Sequence, residues 1–358
     1  MKTMTSKQRV LTTLGRGVPD RVPIDYLANA GIDERLKRHF GLSPDDHEGL
    51  RRRLGVDFAG VNAAYVGPRL HAEMADRQVD PQLGIRTRYI EHGSGGYWDY
   101  CDFPLAGADE ETMDRWPLPK ADDFDYALIP ARCREAADLA IAVGHAGTGD
   151  VINSTGMLCG MENVLVGLIS DDPALLRLID RKLNLQLEVV ERTLERAAGA
   201  IDFLWLGEDL GTQIAPMISL ELFRRHIRPR HQKMIDIARS FDLPVMIHTC
   251  GSSSWAYDDF IEMGVSAVDT LQPEAANMAP AYLKRRFGDR LAFHGCISTA
   301  GPVSFGSVED VVRDCRQVLG VMMPGGGYCF SPTHCLQDNS PTENVVAMYE
   351  TAQRFGGY

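Results

Sequence analysis

Residues 202–251 read DFLWLGEDLGTQIAPMISLELFRRHIRPRHQKMIDIARSFDLPVMIHTCG. Asp202–Leu206 is a short apolar run, Leu220–Phe241 repeats its apolar residues with a helical period, and Leu243–Ile247 is a second apolar run with Pro244 at its edge. A strand, an amphipathic helix and a second buried strand make one βα unit of a parallel sheet. Both runs end in polar residues: Gly207-Glu208-Asp209-Leu210-Gly211 after the first, His248-Thr249-Cys250-Gly251 after the second.

The same alternation extends outward, from about Leu139 to the end of the chain. Short strands are expected at Ala140–Val143, Asp150–Asn153, Ala267–Leu271, Leu291–His294 and Tyr328–Ser331. Helices are expected at Met161–Ile169, Pro173–Ala198, Asp258–Met263, Ala279–Phe287 and Val308–Leu319, with a closing helix opened by Pro341 and running to about Arg354. The amino-terminal part is less regular. Lys7–Leu14 and Ile32–His39 look helical, while Gly84–Glu91 and Gly96–Phe103 form a hairpin around His92-Gly93-Ser94-Gly95. The predicted fold class is α/β: a (β/α)8 TIM barrel, one domain over residues 1–358, with residues 1–135 contributing an N-terminal helical and hairpin elaboration.

A formal charge of −12 argues against a nucleic-acid surface, which needs a local excess of Lys and Arg. The short basic runs Arg51-Arg52-Arg53 and Lys284-Arg285-Arg286 read as solvated helix faces. Eight scattered cysteines, without the dense spacing of a stapled scaffold, suggest reduced thiols. Met1–Val18 lacks the apolar core of a signal peptide, and no apolar run approaches the length of a membrane span. A cytoplasmic protein without nucleic-acid or membrane partners is expected.

In a (β/α)8 barrel the chemistry lies just beyond the carboxyl ends of the strands. There the sequence puts Glu208 and Asp209, His248 and Cys250, Gln272 and Glu274, the run His294-Gly295-Cys296-Ile297-Ser298, and Pro332-Thr333-His334-Cys335. Such convergence on one rim exceeds what strand ends need for stability, because a buried polar group without a partner costs free energy. His248 and Cys250, two apart at a strand end, share a face and can reach one metal ion. Imidazole and thiolate are favoured zinc ligands, and a catalytic zinc keeps three protein ligands beside an open position.

The third donor is expected from His334 or Cys335. Cys335 is preferred because a second thiolate lowers the charge on zinc, which leaves His334 to face substrate or support the site. The plainer reading of His248 and Cys250 is a core histidine with satisfied hydrogen bonds and a small buried thiol. Glu208 and Asp209 are candidates for orienting substrate or completing the zinc shell, and equally for helix N-capping. Asn153, Gln272 and Glu274 are candidate substrate contacts.

These residues resemble the uroporphyrinogen decarboxylase superfamily, and in particular its corrinoid-dependent methyltransferase branch. The likeness takes in Ser6-Lys7-Gln8-Arg9-Val10-Leu11 with Pro19-Asp20-Arg21-Val22-Pro23, GEDLGTQ at 207–213 and HTCG at 248–251. It continues through LQPEAANM at 271–278 and GGGYCFSPTHCLQDNSPTEN at 325–344. The resemblance implies the barrel fold on its own account. In the methyltransferase branch the His and Cys of the HxC element bind zinc, which carries over to His248 and Cys250. The remaining cysteine ligand lies there in a Pro-Gly-Cys-Gly context in the last strand loop, where this chain reads Pro332-Thr333-His334-Cys335. Strict register puts His334 on that cysteine, and a one-residue adjustment puts Cys335 there.

The decarboxylases keep a histidine at that register, matching His334. They lack the HxC, and Pro23-Ile24-Asp25-Tyr26-Leu27 lacks their Arg-rich element. The resemblance therefore implies a zinc-dependent methyltransferase that moves a methyl group between a small-molecule donor or acceptor and a corrinoid, such as methylcobalamin, supplied by a separate partner protein. Two other readings stand beside it: a metal-free decarboxylase that uses Asp209 and His334 for proton handling, and a binding protein with a structural zinc.

Overall fold

The computed structural model describes residues 3–93 and 95–358. Among the described residues, seven parallel strands form one sheet in chain order: β1 (Phe58–Gly60), β2 (Ala140–Gly144), β3 (Phe203–Gly207), β4 (Val245–Thr249), β5 (Ala267–Thr270), β6 (Ala292–Ile297) and β7 (Tyr328–Pro332). The sheet is curled. Phe58, Ala142, Phe203, Met246, Ala267, Ala292 and Cys329, one from each strand, share a single buried cluster with Val10 and Leu14 of the helix Ser6–Leu14. A flat sheet could not bring its two edges together in this way. The ring of Phe58 in β1 lies 5.4 Å from that of His294 in β6, so the first and sixth strands meet across the interior.

Two expectations are corrected. Asp150–Asn153 is not a strand: the amides of Val151 and Ile152 donate to the carboxylate of Glu208 rather than to a neighbouring strand, and Asn153–Cys159 is helical. The strand that completes the sheet is Phe58–Gly60, within the residues read as elaboration. The expected eighth strand does not appear in the sheet among the described residues: beside β7 there is an isolated parallel bridge, Ile24 to Phe330, and the Asp57 amide donates to the Ile24 carbonyl at 2.8 Å.

Asp57 holds this seam together. Its side chain accepts from Ser6 Oγ at 2.7 Å, Arg9 at 2.6 Å, Arg21 at 2.7 Å and the Ile24 amide at 2.9 Å. A carboxylate with no exposure needs that many donors to offset its lost hydration. The segments Ser6–Leu11 and Pro19–Pro23 thus meet at one point, which accounts for Ser6, Arg9 and Arg21.

The outer helices follow the expected pattern. Pro173–Ala197 begins where Asp172 caps the amides of Ala174 and Leu175 with Pro173 in the first turn, and it buries Leu175, Leu178, Ile179, Leu183, Val190 and Leu194. The helix expected over Leu220–Phe241 is interrupted by a π-helical segment, Phe223–Ile227, just before Pro229, whose missing N–H breaks the regular ladder. Arg86–His92 and Gly95–Tyr100 pair as the expected hairpin with Tyr89 opposite Trp98, while Ser94 of its turn lies outside the described residues. Among the described residues no helix is long and apolar enough to cross a membrane, and each of the eight cysteines is a free thiol.

Candidate metal centre

Register places the polar groups. Asp269 in β5 pairs with His248 in β4 on one side and with His294 in β6 on the other. Parallel partners point to the same face, so these three side chains form one layer, two residues above the apolar layer of Met246, Ala267 and Ala292. The interior is apolar below and ionisable at the carboxyl ends of the strands.

His248 Nδ1 lies 2.7 Å from Asp269 Oδ2 and 2.9 Å from Thr270 Oγ1. Thr270 adopts a left-handed backbone, φ 91°, which a β-branched residue rarely does. That strain brings its hydroxyl to the imidazole. The opposite ring nitrogen, Nε2, faces Cys250 Sγ at 3.4 Å and Asp209 Oδ1 at 3.6 Å. Asp209 is itself held, with Oδ1 accepting the Cys250 amide at 2.9 Å and Oδ2 accepting the Asn153 amide group at 2.7 Å. Gly251, at φ 67°, lets the turn after Cys250 nest against Gly211, whose carbonyl oxygen a Cβ would meet at 2.2 Å.

Among the described residues, Asp209, His248 and Cys250 offer one nitrogen, one sulfur and one oxygen within 4.8 Å of one another. A tetrahedral zinc with bonds of about 2.0–2.3 Å separates its ligand atoms by roughly 3.3–3.6 Å. The two separations from Nε2, 3.4 Å and 3.6 Å, are of that size, with the third pair within 4.8 Å, and the carboxylate on Nδ1 is the kind of outer support that metal-binding histidines use.

Charge is unevenly shared in the layer. Burial works against ionisation of Asp269, but the charge of His294 and the hydrogen bonds of both histidines hold its carboxyl well below the usual range. Burial likewise opposes protonation of His294, yet the charge of Asp269 and the bond to Asp25 raise it to about 9. For His248, bonds to Asp269 and Cys250 outweigh burial and hold the imidazole well above its ordinary value. Burial pushes the Cys250 thiol up, with His248 pulling the other way. A metal bound here therefore competes with protons.

The other expected site residues fall in different places. Glu208 lies beneath the rim with its side chain fully buried, accepting the amides of Val151 at 2.6 Å and Ile152 at 3.1 Å. Burial, then the charge of Asp150, pushes its carboxyl well above the usual range. Of the roles expected for it, helix N-capping is the nearest: the two amides it accepts directly precede the helix Asn153–Cys159. Asn153 touches Asp209, and Gln272 accepts the Gly251 amide at 2.7 Å, so both brace the donor cluster. Glu274 accepts the Ser298 hydroxyl at 3.0 Å and is not in the cluster. His334 is exposed, its Nδ1 3.2 Å from the Cys335 carbonyl. Cys335 lines a separate pocket with Tyr89, Trp98 and Asp338, and Asp209 stands in the cluster where Cys335 was expected.

Asp269, Asp25 and Thr270 were not among the expected site residues, and His294, expected at the rim, had been given no role. The signal for Asp269 was present: a carboxylate inside the apolar run Ala267–Leu271 must find partners.

Residues 152–355, more than half of the chain, match the family model for uroporphyrinogen decarboxylase (URO-D). The chain belongs to the uroporphyrinogen decarboxylase family. The matched stretch contains β3 to β7 and with them His248, Cys250, Asp269 and His294. No curated protein matches this member of the family. Among solved structures, a methyltransferase from Methanosarcina mazei superposes with a TM-score of 0.66 over 98% of this chain and 99% of that one, at 14% sequence identity. The fold of this uroporphyrinogen decarboxylase family member is thus shared along nearly the whole of both chains.

Proposed function

We propose that this member of the uroporphyrinogen decarboxylase family is a zinc-dependent methyltransferase, moving a methyl group between a small molecule and a corrinoid carried by a separate protein. In this reading the chain is one barrel domain, with Pro23–Asp25 as the eighth stave between β7 and β1. The observation that carries the proposal is the Asp209–His248–Cys250 cluster at the carboxyl ends of the strands, with Asp269 behind the imidazole. The fold shared with a methyltransferase supports the reaction class.

Bound there, zinc would supply Lewis acidity that keeps a thiol or phenol-like oxygen in its anionic form at neutral pH. The chain's own residues prepare the place. Asp269 holds Nδ1 of His248 and turns Nε2 toward Cys250, and the Asn153 side chain and Cys250 amide hold the carboxylate of Asp209. Held by three protein donors, zinc would keep one position for substrate, whereas a structural zinc would have four protein ligands. Cys335 joins the donor set only if the loop after β7 moves.

The decarboxylase reading draws on the family's description and needs no metal. Removing metal with a chelator and assaying methyl transfer from methylcobalamin to a thiol acceptor separates the two. Methyl transfer that is lost on chelation and restored by zinc is the expected result. Decarboxylation that persists in metal-free protein, with no methyl transfer, would replace this proposal.

A further inference from the structure

The layer that holds His248 continues beyond the metal donors. Asp269 divides its carboxylate between two histidines, with Oδ2 at 2.7 Å from His248 Nδ1 and Oδ1 at 2.5 Å from His294 Nδ1. His294 uses its other nitrogen on Asp25, Nε2 to Oδ2 at 3.1 Å. Its ring is buried, edge-on to Phe58 at 5.4 Å and to Trp205 at 5.8 Å, so it cannot swing away. Asp25 is held in backbone and side chain: its amide donates to the Phe330 carbonyl at 2.9 Å, its carbonyl accepts from Tyr349 Oη at 3.1 Å, and its Oδ1 accepts the Tyr26 amide at 2.8 Å.

An imidazole between two carboxylates donates from both nitrogens. One oxygen of Asp269 is thereby committed to His294, and the other is left for His248. An acceptor at Nδ1 sets the plane of the His248 ring and leaves Nε2 as the nitrogen that gives up its proton to a metal.

We propose that His294, clamped between Asp25 and Asp269, is a positioning residue for the metal ligand His248: it fixes the Asp269 carboxylate, which fixes the His248 ring so that Nε2 faces Cys250 and Asp209. The functional meaning of this inference rests on the zinc reading above, while its geometry does not. His294 is not one of the three donors. A purely structural role would therefore lower stability and leave the metal affinity of the folded protein unchanged.

The test uses His294→Gln and Asp25→Asn in the full chain. Zinc affinity is measured by competition with a chromophoric chelator, beside Tm of the metal-free protein and the visible spectrum of the cobalt-substituted site. Loss of such outer support weakens affinity by about 10–100-fold, expected for His294→Gln, with a smaller loss for Asp25→Asn and a changed cobalt spectrum in both. Folded variants with wild-type zinc affinity and cobalt spectrum overturn the proposal. If His294→Gln does not fold, Asp25→Asn, which keeps the ring, decides the matter. Should wild-type protein bind neither metal, the zinc reading falls. Crystal structures of the metal-free proteins then decide the positioning role: a His248 ring that turns in the variants upholds it, and one that keeps its place overturns it.

Discussion

Replacing Glu208 with alanine separates an anchoring role from a catalytic one. The carboxylate accepts two buried amides, Val151 at 2.6 Å and Ile152 at 3.1 Å, and the variant leaves both without an acceptor. Each unpaired buried donor costs about 1–3 kcal/mol, and relief from burying a carboxyl returns part of the sum, so a net loss of about 2–4 kcal/mol is expected. Burial and the charge of Asp150 place the folded carboxyl above its unfolded value. A group shifted in that direction contributes stability that is fully present below the unfolded range, about pH 4.3, and is lost as pH rises through the folded value. The gap between wild type and Glu208→Ala should therefore be widest in acid and narrow toward alkaline pH. Thermal unfolding across pH reads this gap, and hydrogen-exchange mass spectrometry of residues 145–156 reads the amides. Protection at Val151 and Ile152 should vanish. If these amides stay protected and Tm is unchanged at every pH, the anchoring account is wrong and a role for Glu208 in the reaction returns.

Asp269→Asn removes the acceptor behind the imidazole and should weaken zinc binding by about 10–100-fold in a chelator competition; wild-type affinity would remove Asp269 from the site's support. Asp209→Asn should also weaken zinc binding, whereas Cys335→Ser should keep stoichiometric zinc by elemental analysis; the opposite pair of results would assign the third donor to the loop after β7. His294 is raised from 6.5 to about 9, so its contribution is fully present below pH 6.5 and is lost as pH rises through about 9. Tm should fall more steeply across that window in wild type than in His294→Gln, where the raised His248 still titrates, and parallel curves would contradict the assignment.

What the sequence disclosed was local. The helices Pro173–Ala197 and Val308–Met322 and the strands Phe203–Gly207 and Val245–Thr249 announce themselves through periodicity, and His248 with Cys250 share a short spacing. Phe58–Gly60 was not visible, because three residues ending in glycine carry no period. Asp150–Asn153 resembled a strand until the amides of Val151 and Ile152 found Glu208, 57 and 56 positions along the chain. Cross-strand register is likewise absent from any single segment. It alone puts Asp269 between His248 and His294, and a long connection brings in Asp25. The third donor was not legible either, since adjacency to the last strand says nothing about which way the Cys335 loop turns, and in the structure Cys335 lies outside the Asp209–His248–Cys250 cluster.

Elemental analysis of wild-type protein, purified under reducing conditions and then reconstituted with zinc, bears most directly on the whole account. Stoichiometric zinc, lost in both His248→Ala and Cys250→Ala while the fold persists, is the predicted result. Protein that carries no zinc and takes up none on reconstitution would contradict the metal centre and the methyl-transfer function built on it.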